Sequence, residues 1–136
     1  MTKKIKTRDI EKSMYVNYLQ KAVEGITAAE NAMEKRLYNA VAVSAIHAVI
    51  SAADAYCVYG LSRRCASEDH KDTEYLIRTT PFPDREKAVV SKKYLSVIRT
   101  KNMAEYEERL VKSNEAEKVL REAKEMTDLV KTRTEK

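Results

Sequence analysis

The strongest structural signal in the sequence is the run YNAVAVSAIHAVISAADA at positions 38–55. Its apolar residues occupy nearly every side of a helix, and this pattern is typical of a helix at the centre of a helical domain. We predict that this helix runs from about residue 37 to residue 59 and ends at Gly60, because glycine is favoured just after helix C-termini. The longest uncharged stretch, residues 37–53, is just too short for a membrane span and contains polar side chains.

The segments on both sides of this run are predicted to form amphipathic helices. Before it, a helix over about residues 7–34 has a stripe of apolar residues at three- and four-residue spacing: Tyr15, Leu19, Ala22, Ile26, Ala29 and Met33. Gly25 lies inside this helix, where it costs about 1 kcal/mol relative to alanine. We therefore expect another part of the chain to pack closely against Gly25.

The second half of the chain is predicted to form a polar loop, a short helix and two further long helices. The boundaries are a loop at about 61–68, a short helix at about 69–78, a long helix from about 84 that continues or bends near 101–102 towards 111, and a last helix from about 114. The sequence TTPFP at 79–83 ends the short helix, because proline is excluded from helix interiors. Asn114 and Glu117 have the spacing of a capping box, and the polar tail from Thr132 is expected to fray.

The predicted fold is an all-α, antiparallel up-and-down bundle of four long helices and one short helix. The chain has 136 residues, which is the length of one domain, and we assign 1–136 to it with a core at about 8–131. Two glycines and two prolines are too few for a strand-rich sandwich or barrel. Because the central helix has more apolar surface than one small bundle covers, we also predict a homodimer.

Charge and cysteine content narrow the functional classes. The net charge of +5 permits contact with nucleic acid or an anionic surface without requiring it. The start of the chain is basic with no apolar signal core behind it, so we expect a cytoplasmic protein that does not enter a membrane. Cys57 and Cys65 are expected to be small buried side chains. No ligand spacing indicates a metal or another cofactor.

Three polar residues interrupt the apolar central helix. His47, Ser51 and Asp54 are spaced by four and three, so they share one face. A hydrolase triad is disfavoured, because three residues on one straight helix do not converge on a carbonyl and no oxyanion donor is evident. We expect these residues to be hydrogen-bonded within the bundle or to line a groove, which makes His47 and Asp54 candidate binding residues.

A second candidate site follows the central helix. Arg64 and His70 are separated by five residues, in the loop and at the start of the short helix. A guanidinium forks onto phosphate oxygens, an imidazole exchanges protons near neutrality, and a helix N-terminus favours a phosphate. These residue types together suit phosphodiester cleavage. Arg63 is the alternative arginine, with a gap of six to His70.

The order of these segments resembles the HEPN family (higher eukaryote and prokaryote nucleotide-binding domains). The resemblance is carried by the apolar helix 38–55, by Arg64 and His70 where the family has its Arg-x(4–6)-His motif, by the stretch IRTKNMAEYE at 98–107 and by the last helix at 115–130. Together these segments cover about residues 8 to 131. The stretch 98–107 is similar to small stand-alone archaeal and bacterial members.

This resemblance implies a helical bundle that dimerises, so that two Arg-His motifs meet across a groove and cut RNA without a metal. Arg64 would bind the phosphate, and His70 would transfer protons. The chain departs from the family pattern at Cys65, where active members often have a polar residue, and at Asp72, where members paired with a nucleotidyltransferase antitoxin have a tyrosine.

Three functional classes stay open at this stage. The first is a metal-independent endoribonuclease, including the toxin of a toxin–antitoxin pair with a nucleotidyltransferase antitoxin. The second is a non-catalytic HEPN module that binds RNA, a nucleotide or a protein partner. The third is a helical subunit whose groove only completes a larger assembly.

Overall fold

The computed structural model describes residues 4–135 and contains five α-helices and one small sheet. The helices are α1 (Tyr15–Glu34), α2 (Tyr38–Leu61), α3 (His70–Arg78), α4 (Asp84–Tyr106) and α5 (Ser113–Thr134). The strands are β1 (Thr7–Asp9) and β2 (Arg63–Cys65), which pair antiparallel. The predicted set of four long helices and one short helix is thus confirmed, whereas the sheet was not predicted.

Helix α2 lies at the centre of the bundle and packs against α1, α4 and α5. Its buried side chains are mostly alanine and valine, which allow neighbouring helices to approach closely. A Cβ added to Gly25 of α1 would lie only 3.0 Å from the Cβ of Ala48. The expected close packing at Gly25 is therefore confirmed, and its neighbour is α2.

Most of the apolar surface of α2 is covered within the single chain. By length and composition α2 could cross a membrane, but 67% of its most apolar window is buried inside the bundle. Val41, Ile46 and Val49 have no exposed surface. Much of the apolar surface from which we predicted a homodimer is therefore covered by α1, α4 and α5, and the homodimer itself stays a prediction.

The predicted end of α2 at Gly60 is wrong. The helix continues to Leu61, and Ser62 adopts the left-handed conformation that ends it, with φ of 56°. Gly60 has a different role: a Cβ at this position would lie 2.8 Å from Cε2 of Phe82. The glycine allows the Phe82 ring to pack directly on the helix backbone.

The predicted first helix is wrong over its first eight residues. Residues 7–9 form β1, and a single 3₁₀ turn at Lys12–Met14 leads into α1. The amides of Ile10 and Ala66 donate to the carbonyl oxygens of Ser62 and Lys6, which extends the pairing beyond the strands. Pairing with a strand far along the chain thus overrides the helical preference of this segment.

The short helix has the predicted start and stop. The Asp69 carboxylate accepts a hydrogen bond from the Lys71 amide at 2.9 Å and caps the start of α3. At the other end, Lys87 Nζ of α4 donates to the carbonyl oxygens of Arg78 and Thr80. Both ends of α3 are therefore held by side chains, and the first residue of the helix, His70, has a defined position.

The last part of the chain differs from the prediction in three details. Helix α4 is unbroken but ends at Tyr106, before the predicted limit near residue 111. Glu115, not Glu117, accepts the Lys112 amide at the start of α5. Helix α5 extends through the segment from residue 132 to Thr134, where Arg133 pairs with Glu86 and the Tyr15 hydroxyl donates to the Thr134 carbonyl oxygen.

Candidate functional site

The short strand β2 positions the candidate arginine. The side chains of Arg63 and Arg64 alternate across the strand, so that Arg63 is exposed and Arg64 is half-buried. Arg64 Nη1 lies 3.8 Å from Oδ2 of Asp54 on α2 and donates to the Cys65 carbonyl oxygen at 3.4 Å. Arg64 Nε is buried without a hydrogen-bond partner among residues 4–135. Two residues that the sequence suggested for separate sites are therefore neighbours.

Burial dominates the chemistry of Asp54. The side chain is only 13% exposed, and this burial raises the pKa of its carboxyl from 3.8 to about 6. The positive charges of Arg64 and Lys21 lower this pKa and offset part of the effect. Asp54 is therefore a carboxylate at neutral pH and becomes partly protonated in mild acid.

His70 is held from one side by a buried tyrosine. Its Nδ1 lies 3.0 Å from the hydroxyl of Tyr94 on α4, and Tyr94 is only 1% exposed. The opposite ring nitrogen, Nε2, makes no side-chain or backbone hydrogen bond within the described part of the chain. Partial burial, and next the charge of Lys101, lower the pKa of His70, whereas Asp69 and Glu105 raise it. The imidazole is thus mainly neutral near pH 7.

His70 lines a cavity of about 750 Å³ between the start of α3 and α4. The walls combine apolar, basic and acidic side chains: Glu68, Asp69, Lys71, Glu74, Tyr75, Leu95, Ile98 and Arg99. An aromatic and aliphatic surface beside basic groups suits a nucleobase joined to a phosphate. We call this space the His70 cavity.

The structure does not bring Arg64 and His70 into one cavity. Arg64 is directed to Asp54, and it is not among the residues that line the His70 cavity. Tyr94 lies between the two residues: its hydroxyl contacts His70, and the Asp54 carboxylate that pairs with Arg64 is near enough to affect its pKa. Burial raises the pKa of its phenol, and the nearby Asp54 carboxylate raises it further, whereas a hydrogen bond with Thr73 lowers it.

His47 lies in a different place. It is exposed and lines a shallow cavity of about 480 Å³ between α1 and α2, together with Ser51, Lys21 and Glu24. Of the three residues that share this face of α2, His47 and Ser51 line the cavity. Asp54 lies on this face too, but its carboxylate pairs with Arg64 instead of joining this cavity.

Sequence reasoning missed two residues near the site. Tyr94 belongs to the apolar stripe of α4, although a buried tyrosine needs a partner for its hydroxyl and could have indicated a polar neighbour. The paired strands β1 and β2 form a two-stranded ribbon. Arg8 of β1 lies directly opposite Arg64 of β2, which places the two side chains on the same face of the ribbon. No local signal could have shown this, because the pairing joins distant segments.

The two cysteines are buried free thiols, as expected, and burial raises the pKa of Cys57. Within residues 4–135, no group of three or more His, Cys, Asp or Glu side chains is arranged to hold a metal ion.

Comparison of the chain with protein-family models, with curated proteins and with solved structures finds no match. What the site can do therefore follows from its own residues. The Arg64 guanidinium, beside Asp54, is suited to phosphate binding. The mainly neutral His70 imidazole, in a separate cavity with apolar and basic walls, is suited to proton transfer and contact with a base.

Proposed function

We propose that this protein is a HEPN-like endoribonuclease that cleaves RNA without a metal ion. The observation that carries the proposal is the arrangement at His70. Its ring lines a cavity large enough for a nucleotide, one nitrogen is engaged by buried Tyr94, and the other makes no protein hydrogen bond among the described residues. A mainly neutral imidazole in this position can accept a proton from a bound ribose.

The reaction that fits these residues is transfer of the phosphoryl group from the 5′-oxygen of the next nucleotide to the ribose 2′-oxygen. His70 Nε2 takes the 2′-hydroxyl proton while the 2′-oxygen forms a bond to phosphorus. The bond from phosphorus to the 5′-oxygen breaks, and a protonated group gives that oxygen its proton. The products are a 2′,3′-cyclic phosphate and a 5′-hydroxyl. One chain supplies one such histidine, so in our proposal a homodimer supplies the second.

The phosphate is assigned to Arg64, supported by the basic side chains around it. Arg8 shares the face of Arg64, and exposed Arg63 is available for a neighbouring phosphate. Lys71 and Arg99 border the His70 cavity. These cations give the RNA backbone an attractive path between the ribbon and α4. His47, beside the shallow cavity between α1 and α2, is proposed to bind a partner chain or RNA.

The biological setting in this proposal is a cytoplasmic toxin with a nucleotidyltransferase antitoxin as partner. Asp72 stands two residues after His70, where the members regulated by such a partner have the tyrosine that is modified. Modification at that position is therefore excluded in this chain, and partnership would require a different residue.

A second function is favoured by one contact. The Arg64 guanidinium is already directed to the Asp54 carboxylate at 3.8 Å, and this pair competes with phosphate binding. A chain in which the pair persists would bind RNA, a nucleotide or a protein partner through the His70 cavity without cutting RNA.

The two functions are separated by cleavage assays on the purified protein with single-stranded RNA and EDTA. For the nuclease, we expect cyclic-phosphate ends, and loss of cleavage by about 10²–10⁴-fold in His70→Ala. Arg64→Lys should also cleave poorly, because an ammonium does not fork onto two phosphate oxygens. Arg121→Lys, on the exposed side of α5, is the matched control. Full cleavage by His70→Ala would exclude the nuclease, and RNA binding without cleavage by the wild type would support the second function.

A further inference from the structure

The hydrogen bond between His70 and Tyr94 joins a half-buried imidazole to a buried phenol. The two rings meet edge to face, with centroids 6.2 Å apart and an interplanar angle of 61°. Tyr94 is buried among α2, α3 and α4, so water does not substitute for its partners. A buried hydroxyl is costly without a hydrogen bond, and the His70 ring is therefore held at this distance.

The direction of this hydrogen bond determines which imidazole nitrogen exchanges protons. If Tyr94 donates to Nδ1, neutral His70 has its proton on Nε2 and no lone pair towards the cavity. If Nδ1–H donates to the Tyr94 oxygen, the Nε2 lone pair is available to a substrate. Protonation at Nε2 then leaves the bond to Tyr94 unchanged, because Nδ1 keeps its hydrogen in both charge states. Thr73 is the other hydrogen-bond partner of Tyr94, and because its hydroxyl can either donate or accept, it is compatible with both directions of the His70 bond.

We propose that Tyr94 is the positioning residue for His70, and that its hydroxyl oxygen accepts the Nδ1–H bond so that Nε2 is the atom that exchanges protons in the His70 cavity. The catalytic consequence rests on the proposed nuclease function. The tautomer itself is a property of the folded chain and is tested without any substrate.

Nuclear magnetic resonance of the imidazole nitrogens tests the proposal. The chain has only two histidines, so exposed His47 serves as an internal reference. In the wild type we expect neutral His70 with its proton on Nδ1. In Tyr94→Phe we expect this preference to be lost while the His47 signals stay the same. Tyr56→Phe is the matched control, because it removes another buried hydroxyl, which donates to Glu86 away from His70.

Kinetics give the second readout. Tyr94→Phe should lower kcat by about 10–100-fold, the range known for partners that orient metal-bound imidazoles, with a smaller change in KM. Tyr56→Phe should not change kcat. A His70 proton on Nε2 in the wild type would overturn the proposal, as would an unchanged tautomer in Tyr94→Phe. If Tyr94→Phe does not fold, the wild-type tautomer decides. If the wild type has the expected tautomer but cleaves no RNA, the positioning role stands and the nuclease function fails.

Discussion

Asp54 and Arg64 form a long ion pair, with 3.8 Å between Oδ2 and Nη1, that links the central helix to the strand following it. Because Asp54 is mostly buried, its attraction to Arg64 does not compensate for lost hydration, and its pKa stays at about 6. The pair therefore holds the arginine in place at a cost in stability, and this cost depends on pH.

We expect Asp54→Asn to change the pH dependence of folding. The pKa of Asp54 is about 6 when folded and about 3.9 when unfolded, so between these values the folded state binds more protons. The Asp54 contribution to the free energy of unfolding therefore falls as pH rises from about 4 to 6, by up to about 3 kcal/mol. The variant lacks this fall, so its stability relative to wild type should increase over that range in urea denaturation. The fully exposed Asp84, changed to Asn, is the control. Parallel curves for wild type and Asp54→Asn would contradict the expectation.

The same substitution should increase affinity for RNA. Without the Asp54 carboxylate, Arg64 is available to a phosphate. One additional phosphate contact should make the slope of log affinity against log salt concentration steeper by about one unit. Fluorescence anisotropy with labelled single-stranded RNA at several salt concentrations measures both quantities. An unchanged salt slope would mean that Arg64 does not reach the RNA.

Lys101 should influence the pH profile of cleavage. Burial and Lys101 lower the pKa of His70, so its neutral form persists below the usual pKa of about 6.5. As the proposed base, His70 loses activity only when it becomes protonated, so the acid limb of kcat/KM against pH should lie below that value. Lys101→Met should move this limb to higher pH, whereas Lys118→Met, at an exposed position of α5, should leave it in place. A limb that does not move would remove Lys101 from the site. In a homodimer the apparent values belong to the histidine pair.

Arg8 should contribute to RNA binding through its position opposite Arg64. Arg8→Ala is expected to weaken RNA binding and to reduce the salt slope by about one unit. Lys4→Ala, which removes a charge outside the ribbon, is the matched control. Equal losses for both variants would indicate that only the total charge matters.

Gly60→Ala should destabilise the protein despite the better helix propensity of alanine. The added methyl group would lie 2.8 Å from Phe82, whose ring is held by Tyr56 at a centroid distance of 4.6 Å. Overpacking costs about 1–3 kcal/mol, and at a 2.8 Å contact we expect this cost to exceed the roughly 1 kcal/mol gained by replacing glycine. Urea denaturation measures the change. In a Phe82→Leu background the same substitution should cost less, and an equal cost in both backgrounds would exclude the ring as its cause.

The sequence predicts those parts of the structure that are determined by residues close together in the chain. The all-round apolar pattern indicates α2, and the prolines after Thr80 end α3 where expected. The β1–β2 pairing was missed because its hydrogen bonds join segments separated by two helices. The helix end predicted at Gly60 is wrong because the sequence does not show that Phe82 packs on this glycine.

The candidate site was predictable as residue types but not as a geometry. Spacing identified Arg64 and His70, yet only the fold shows that one contacts Asp54 and the other contacts Tyr94. These contacts depend on how α2 and α4 pack, which local patterns do not specify.

The two-stranded ribbon also has a consequence for the order of folding. Helices α1 and α2 are joined by a short connection and can associate through contacts between near neighbours in the chain. β1 and β2 must close a loop that contains both helices, and such contacts form more slowly. We expect the backbone amides of the ribbon to exchange hydrogen with solvent through local openings of lower free energy than those of α2. Strand β2, which contains Arg63 and Arg64, would then separate from β1 and pair with it again while the helical core stays folded.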